Sequence, residues 1–326
     1  MRTIMRVLLG GIPMVASACA IAAAGPAGGF PSKPMRWVVP YAAGGPTEVV
    51  GRVVGAKVSE SLGQQVVVDL RPGGNSILGS EIVARSPADG YTLLLALPAF
   101  AINPFVYSKL PYDTMKDFIP VTQLASASYL MLVGAAVPAK TPQELVALAK
   151  SKPGELAFGS GGTASPAHLA MELFMQKAGI RMNHVPYKGG APALTDLAGG
   201  QIQVLVNPAL SATPLIKTGR IRAIAVTGPA RSDLMKDLPT VSEAGWPGYE
   251  VTTWYGLFAP AKTDMAVVRR VSEAVAGAIR DPGAKSRLAA LDAEPVGSTP
   301  EAFRKFIDAE MIRWRSVVES AQIRAE

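Results

Sequence analysis

The feature that most constrains this chain is a regular alternation of short apolar strand patterns with helical ones, running from about residue 35 to residue 227. Residues 35–39 read as a strand. Residues 47–62 read as a helix that turns Val50, Val53, Val54 and Val58 inward. A strand at 65–69, a helix at 77–84 and a strand at 91–96 follow. After Thr141 the rhythm resumes with helices at 142–150, 166–178, 191–197 and 209–217, separated by strands at 155–159, 183–187, 202–206 and 221–227. Such alternation argues for an α/β fold, with parallel sheets covered by helices on both faces.

Two segments break the rhythm. Residues 119–133 and 251–260 are long, extended and weakly punctuated by turns, and each joins one block of units to another. A chain built this way leaves a first domain (31–128), builds a second (129–252) and returns to the first (253–326), as a clamp with two hinge strands requires. The returning part has a helical face at Val268, Val271, Val275 and Ile279. A last helix carries Phe303, Ile307, Met311, Trp314 and Val318 at spacings of three and four.

Composition removes several functional classes. With 326 residues the chain is long enough for two domains. Its single cysteine, Cys19, excludes an intramolecular disulfide, a zinc ribbon and a CxxC redox pair, and two histidines, His168 and His184, are too few for a His-rich metal site. No cofactor or metal is expected. Residues 1–24 read as an export signal: Arg2 and Arg6 precede a run of small apolar residues ending on Ala22-Ala23-Ala24. A membrane anchor is disfavoured by the Ala/Gly content of that run. A lipoprotein is disfavoured because Ala16-Ser17-Ala18-Cys19 lacks the usual leucine. Arg2 and Arg6 account for two of the seven net positive charges, and the remaining excess is scattered without basic blocks. Nucleic-acid binding is therefore not expected.

Two stretches share one plan of strand, glycine-rich turn and helix: "VVPYAAGGPTEVVGR" (38–52) and "LAFGSGGTASPAHLAMELF" (156–174). Each offers backbone N–H groups at a helix N-terminus, where the dipole favours an anion. In the first, Gly44, Gly45 and Pro46 form the turn and Thr47 is expected to cap the helix. In the second, Ser160, Gly161, Gly162, Thr163 and Ser165 combine glycines with hydroxyls, a composition suited to a carboxylate. No P-loop lysine follows, and the dinucleotide spacing is only nearly met. A turn whose glycines serve packing alone stays open. Ser165 sits at an N-cap position with His168 packing or hydrogen-bonding behind the loop, no G-x-S-x-G elbow exists, and no catalytic constellation emerges. Lys188 ends a strand before Gly189-Gly190, where it either faces a ligand crevice or is simply solvated.

Five stretches together resemble the solute-binding proteins of tripartite tricarboxylate transporters, the Bug family, over nearly the whole length after the export signal. They are 33–52, "RPGGNSILGSEIVARSPADGYTLL" (71–94), 158–174, "HVPYKGGAPALTDLAGGQI" (184–202) and "LPTVSEAGWPGYEVTTWYGLFAP" (238–260). The resemblance implies a type II periplasmic binding protein with two α/β domains joined by two hinge strands around a ligand cleft. It implies a non-enzymatic periplasmic receptor that delivers a small carboxylate to integral-membrane transporter subunits, and a monomer is the default expectation. Carried over by position, the ligand contacts fall on Tyr41, Ala43 to Glu48, Leu97, Pro98, Phe100, Ser160 to Thr163, Ser165 and Asn207; Lys188 joins them on its strand-end position alone. Two rival readings stand beside it: a secreted serine hydrolase using Ser165 and His168, and a ligand-presenting partner of a sensor kinase. The sequence departs from the family pattern at Glu48 (usually Asp), at Ala42 or Ala43 (usually Pro), at the 97–100 segment (usually small and polar) and at Gln203 (often Asp). These departures lead to the expectation of one carboxylate in the 160–165 loop and an apolar or aromatic body against Phe100, unless those side chains pack beneath the loops.

Overall fold

The computed structural model describes residues 29–233 and 235–324; the export-signal reading of residues 1–24 lies outside them. In chain order the elements are β1 (Met35–Val39), α1 (Pro46–Leu62), β2 (Val66–Leu70), α2 (Ile77–Ala84), β3 (Thr92–Ala96), α3 (Ala99–Val106) and the long β4 (Phe118–Gly134). Next come α4 (Pro142–Ser151), β5 (Ala157–Ser160), α5 (Pro166–Ala178), β6 (Asn183–Pro186), α6 (Gly190–Ala198), β7 (Val204–Pro208), α7 (Ala209–Lys217) and β8 (Ile221–Val226). The chain closes with β9 (Thr252–Pro260), α8 (Met265–Ala278), α9 (Pro282–Ala289), β10 (Ala293–Pro295) and α10 (Pro300–Ser320).

The sheet has two halves that share β4. In the first half the order is β2-β1-β3-β9-β4, with β10 on the other edge of β4; in the second it is β8-β4-β7-β5-β6. β4 pairs with β9 through Ser128 and with β7 and β8 from Tyr129 onward. The sheets are mixed rather than wholly parallel. β1, β2 and β3 run parallel, as do β5, β6 and β7, but β4 is antiparallel to β7, β8 and β9. The reason is topological: a strand that crosses from one half to the other, then lies beside the returning one, pairs with it antiparallel.

Periodicity finds α2, α5 and α7 residue for residue, while α3, α9 and β10 escape it. α3 carries an internal Pro104 and follows Leu97-Pro98, so the segment reads as a strand end. α9 is short with only Ala284 and Leu288 buried, and β10 has three residues. α10 is not confined to one half. Phe303 and Ile307 pack with Phe100, Trp254 and Phe258 of the first half, whereas Trp314, Val317 and Val318 join the second-half core around Phe158 and Phe174. Glu310, buried midway, accepts hydrogen bonds from the indoles of Trp254 and Trp314, each at 3.0 Å.

Candidate functional site

The strand registers aim two sets of loops at one place. Along β9, Leu94 of β3 pairs with Phe258 and Ala96 with Gly256, while Thr252 of β9 pairs with Ser128 of β4. The C-terminal end of β3 therefore points toward Ser128. In the other half, Val204 of β7 pairs with Val133 and Pro208 with Tyr129, so the C-terminal end of β7 points toward Tyr129. Because β1 and β2 run parallel to β3, and β5 and β6 parallel to β7, six strand ends converge on the Ser128/Tyr129 junction from opposite sides. Ligands in open α/β sheets bind in the crevice beyond the carboxyl ends of the strands.

Capping separates the helices that start at these ends from the rest. α4, α8, α9 and α10, which start elsewhere, each have a side-chain cap: Thr141, Asp264, Asp281 and Thr299 accept hydrogen bonds from first-turn N–H groups. Of the six helices that start at the junction, only α5 has one, from Ser165 Oγ to His168 N–H at 3.3 Å. α1, α2, α3, α6 and α7 have no side-chain cap. At α2 and α3 backbone carbonyls take first-turn N–H groups instead, as Ile77 N–H does to Gly74 O at 3.0 Å and Phe100 N–H to Leu97 O at 2.9 Å. Where first-turn N–H groups stay open they carry the positive end of the helix dipole and make an anion-accepting surface.

The second half holds the more open of the two glycine turns. Gly189 N–H donates to Gly161 O at 3.2 Å and Tyr187 N–H to Ser160 O at 3.0 Å, which fuses the turns after β5 and β6 into one surface. A Cβ on Gly161 would already touch the Gly189 backbone at 3.6 Å, so the two glycines permit this approach. Gly161, Thr163 and Ala167 donate their N–H groups to nothing among the described residues, and the first turn of α5 holds no acidic residue. Thr163 and Lys188 are exposed, and Lys188 has no ion-pair partner among the described residues. Asn207, buried at the end of β7, donates from Nδ2 to Ser211 Oγ at 2.6 Å, and a Cβ on Gly190 would collide with its Oδ1. Ser160 departs from expectation. Its hydroxyl is fully buried, bonded to Gly162 O (2.9 Å), Gly162 N–H (3.1 Å) and His184 Nε2 (2.6 Å), so it shapes the turn rather than meeting a ligand. Ser165 and His168 form no hydroxyl–imidazole bond, since His168 Nδ1 accepts from Ala164 N–H at 3.1 Å.

The first-half turn differs. α1 starts at Pro46 with Gly45 at the N-cap, and Thr47 is buried within the helix rather than capping it. Proline at the first helical position lacks the N–H that would need a partner, which shifts the start by one residue. Glu48 reaches back over this terminus: Oε2 accepts from Gly44 N–H at 2.8 Å and Oε1 from Arg52 at 2.8 Å. The Gly44 N–H, and then Arg52, hold the Glu48 carboxyl below its usual range. Ala42, Ala43 and Gly44 are exposed, and Tyr41 Oη accepts from Leu97 N–H at 3.3 Å, tying the ends of β1 and β3 together. Burial raises the Tyr41 pKa.

Phe100 is corrected by the structure. Pro98 turns the chain into α3, and one residue of helix rotates a side chain by about 100°. The Phe100 ring is driven inward, fully buried 5.0 Å from Phe118 and 4.6 Å from Phe258. Pro98 and Ala99 are buried as well, and Leu97 is half-buried against the first-half core. Within the 97–100 segment, Ala99 and Phe100 are core packing, and Phe100 offers no ring to a cleft. Sequence reasoning also misses the floor at the junction. Thr227, fully buried, accepts from Tyr129 N–H at 2.9 Å through Oγ1 and lies 2.7 Å from Val251 O, pinning the two crossings. The Tyr129 phenol lies beside Thr253, and burial pushes its pKa up to about 12. Only the register of the hinge strands marks these residues.

Comparison with known proteins gives the family and agrees with the fold. A family described as the tripartite tricarboxylate transporter family receptor matches residues 50–323. The chain is 33% identical to Protein BugT of Bordetella pertussis over 313 residues, 95% of this chain and 96% of that one. Among solved structures, Rpa4515 of R. palustris with adipate has a TM-score of 0.79 at 35% identity, covering 90% of this chain and 99% of that one. MatC (Rpa3494) of Rhodopseudomonas palustris with bound malate has a TM-score of 0.73 at 31% identity, covering 89% and 100%. The chain belongs to the tripartite tricarboxylate transporter receptor family.

Proposed function

We propose that this member of the receptor family is a periplasmic binding protein, not an enzyme, that captures a small organic carboxylate and hands it to the membrane subunits of a transporter. The observation that carries the reading is the capping contrast: five of six helix N-termini at the junction lack the side-chain cap that every other described helix has. One ligand carboxylate sits against Gly161, Gly162, Thr163 and Ser165, with Lys188, Asn207 and the α6 terminus completing that side. Tyr41, Ala43 to Glu48, Leu97 and Pro98 supply the opposite wall. With Phe100 in the core, nothing selects an aromatic body, and two relatives hold the dicarboxylates adipate and malate. Aliphatic carboxylates are therefore the first class to test, with benzoate as the competing class.

Residues 31–128 with 253–326, and 129–252, are proposed to rotate relative to each other about β4 and the Thr227–Val251 crossing, closing on the ligand, with the last turns of α10 (Trp314, Val317 and Val318) moving with the second-half core they pack into. Closure requires contacts formed only in the closed state, which loops converging from both halves provide. Calorimetry with adipate, malate and benzoate tests binding at one site per chain, and small-angle scattering with and without ligand tests closure. Absence of binding to every small carboxylate, or turnover of a simple ester lost in Ser165→Ala, would overturn the receptor reading.

A further inference from the structure

Behind the 160–165 turn lies a feature that ligand contact does not explain. His168 of α5 and His184 of β6 stack face to face, ring centroids 3.7 Å apart and 8° from parallel, with Phe158 of β5 next in the stack at 5.0 Å from His184. Each imidazole holds one end of the turn. His184 Nε2 bonds Ser160 Oγ, which in turn receives Gly162 N–H, and His168 Nδ1 receives Ala164 N–H. Glu172 Oε1 lies 3.4 Å from His168 Nε2, which places the His168 proton on Nε2 and leaves Nδ1 free to accept.

We propose that His168 and His184 are positioning residues that lock the 160–165 turn in its anion-accepting shape, and that protonation of this stack unlocks the turn and weakens ligand binding. The proposal rests on the receptor reading above for its functional consequence, but not for the lock itself.

The physical reason is burial of charge. A proton on His168 Nδ1 would set two donors against each other at Ala164 N–H. A proton on His184 would place a cation flat against a second imidazole. The ionisable group facing His184 from α5 is His168, which Glu172 contacts in turn at 3.4 Å; from β5, Phe158 stacks on His184 and Ser160 bonds its Nε2. Burial and His168 lower the His184 pKa from 6.5 to about 4. Because the locked state holds the depressed value, unlocked turn gains on locked turn as pH falls from about 6.5 toward 4. For that shift alone, the unlocked-to-locked ratio rises roughly thirtyfold between pH 7.5 and 5.

Hydrogen exchange of the 160–168 segment in the ligand-free protein, corrected for intrinsic rates, reads the lock directly. Wild type should exchange at least tenfold faster at pH 5.0 than at pH 7.5. His184→Gln, whose amide N–H can replace Nε2 without titrating, should show no such rise, and His184→Ala should exchange fast at both pH values. Adipate affinity, measured as the ratio of wild type to His184→Gln so that ligand protonation cancels, should fall about tenfold over the same range. Equal wild-type exchange at both pH values, the same rise in His184→Gln, or relative affinity that increases in acid would overturn the proposal. If wild type binds neither adipate nor malate at pH 7.5, the receptor reading fails for these probes while the exchange result still decides the lock.

Discussion

The two glycine turns look like copies in the sequence, yet the structure uses them differently. The first carries its own anion: Glu48 lies over the start of α1, takes the Gly44 N–H and is neutralised by Arg52. The second has no acidic residue in the first turn of its helix and leaves Gly161, Thr163 and Ala167 N–H open. One turn is already occupied by a carboxylate and the other is prepared for one. The comparison teaches that similar backbone motifs can divide labour: in the receptor reading proposed above, one half would anchor the ligand charge and the other would close over it. The side chain of the third residue of the helix decides which is which.

Four outcomes would break or sharpen that comparison. The largest concerns the support of the first half. Phe100→Ala should destabilise the protein by about 3–5 kcal/mol through loss of a fully buried ring. Adipate affinity extrapolated to folded protein should not change, and a large loss of affinity at unchanged stability would put the ring back in the cleft. Chemical denaturation paired with calorimetry separates these results.

Second, Thr163→Asp turns the open turn into an occupied one. Adipate affinity should fall about a hundredfold, since like charges brought together at a binding site cost several kcal/mol. The fold should gain about 0.3–1 kcal/mol from an acid at a helix N-terminus. Undiminished affinity with this variant would remove the 160–165 turn from the site.

Third, Thr141→Ala removes the cap of a helix that starts away from the junction. Stability should drop by about 1 kcal/mol with adipate affinity unchanged, because that cap serves the helix alone. A matching loss of affinity in calorimetry would end the distinction between capped and open helices.

The smallest effect is expected from Glu48→Gln, which removes the resident charge of the first turn. Adipate should bind about threefold tighter at low salt, with the gain shrinking as ionic strength rises and screens it. A weaker complex would mean that Glu48 contributes a ligand contact through its charge.

Much of this was legible in the chain because the periods are local. The inward valines of α1 and the three-and-four spacing of α10 follow from 3.6 residues per turn, and they survive in the structure. Gly161 and Gly189 were legible as turns, since only backbone freedom and close approach were at stake. Phe100 was misplaced because its direction depends on whether Pro98 continues a strand or opens a helix, and both are compatible with the residues alone. Ser160 was assigned to the ligand because a hydroxyl beside glycines reads the same whether it points outward or back to His184, 24 residues away.

The sequence by itself determined the alternating α/β architecture, the two crossings and the two glycine turns, since each depends on interactions within a few residues or on the simple count of apolar positions. Only the tertiary structure decided which N–H groups remain open, that β4 runs antiparallel to β7, β8 and β9, and that α10 joins both cores. It also decided that His168 and His184 stack behind one turn. Those outcomes depend on which strand ends meet at Ser128 and Tyr129, and on which side chain reaches a given donor first. Both are long-range contacts, and no local pattern along the chain encodes them.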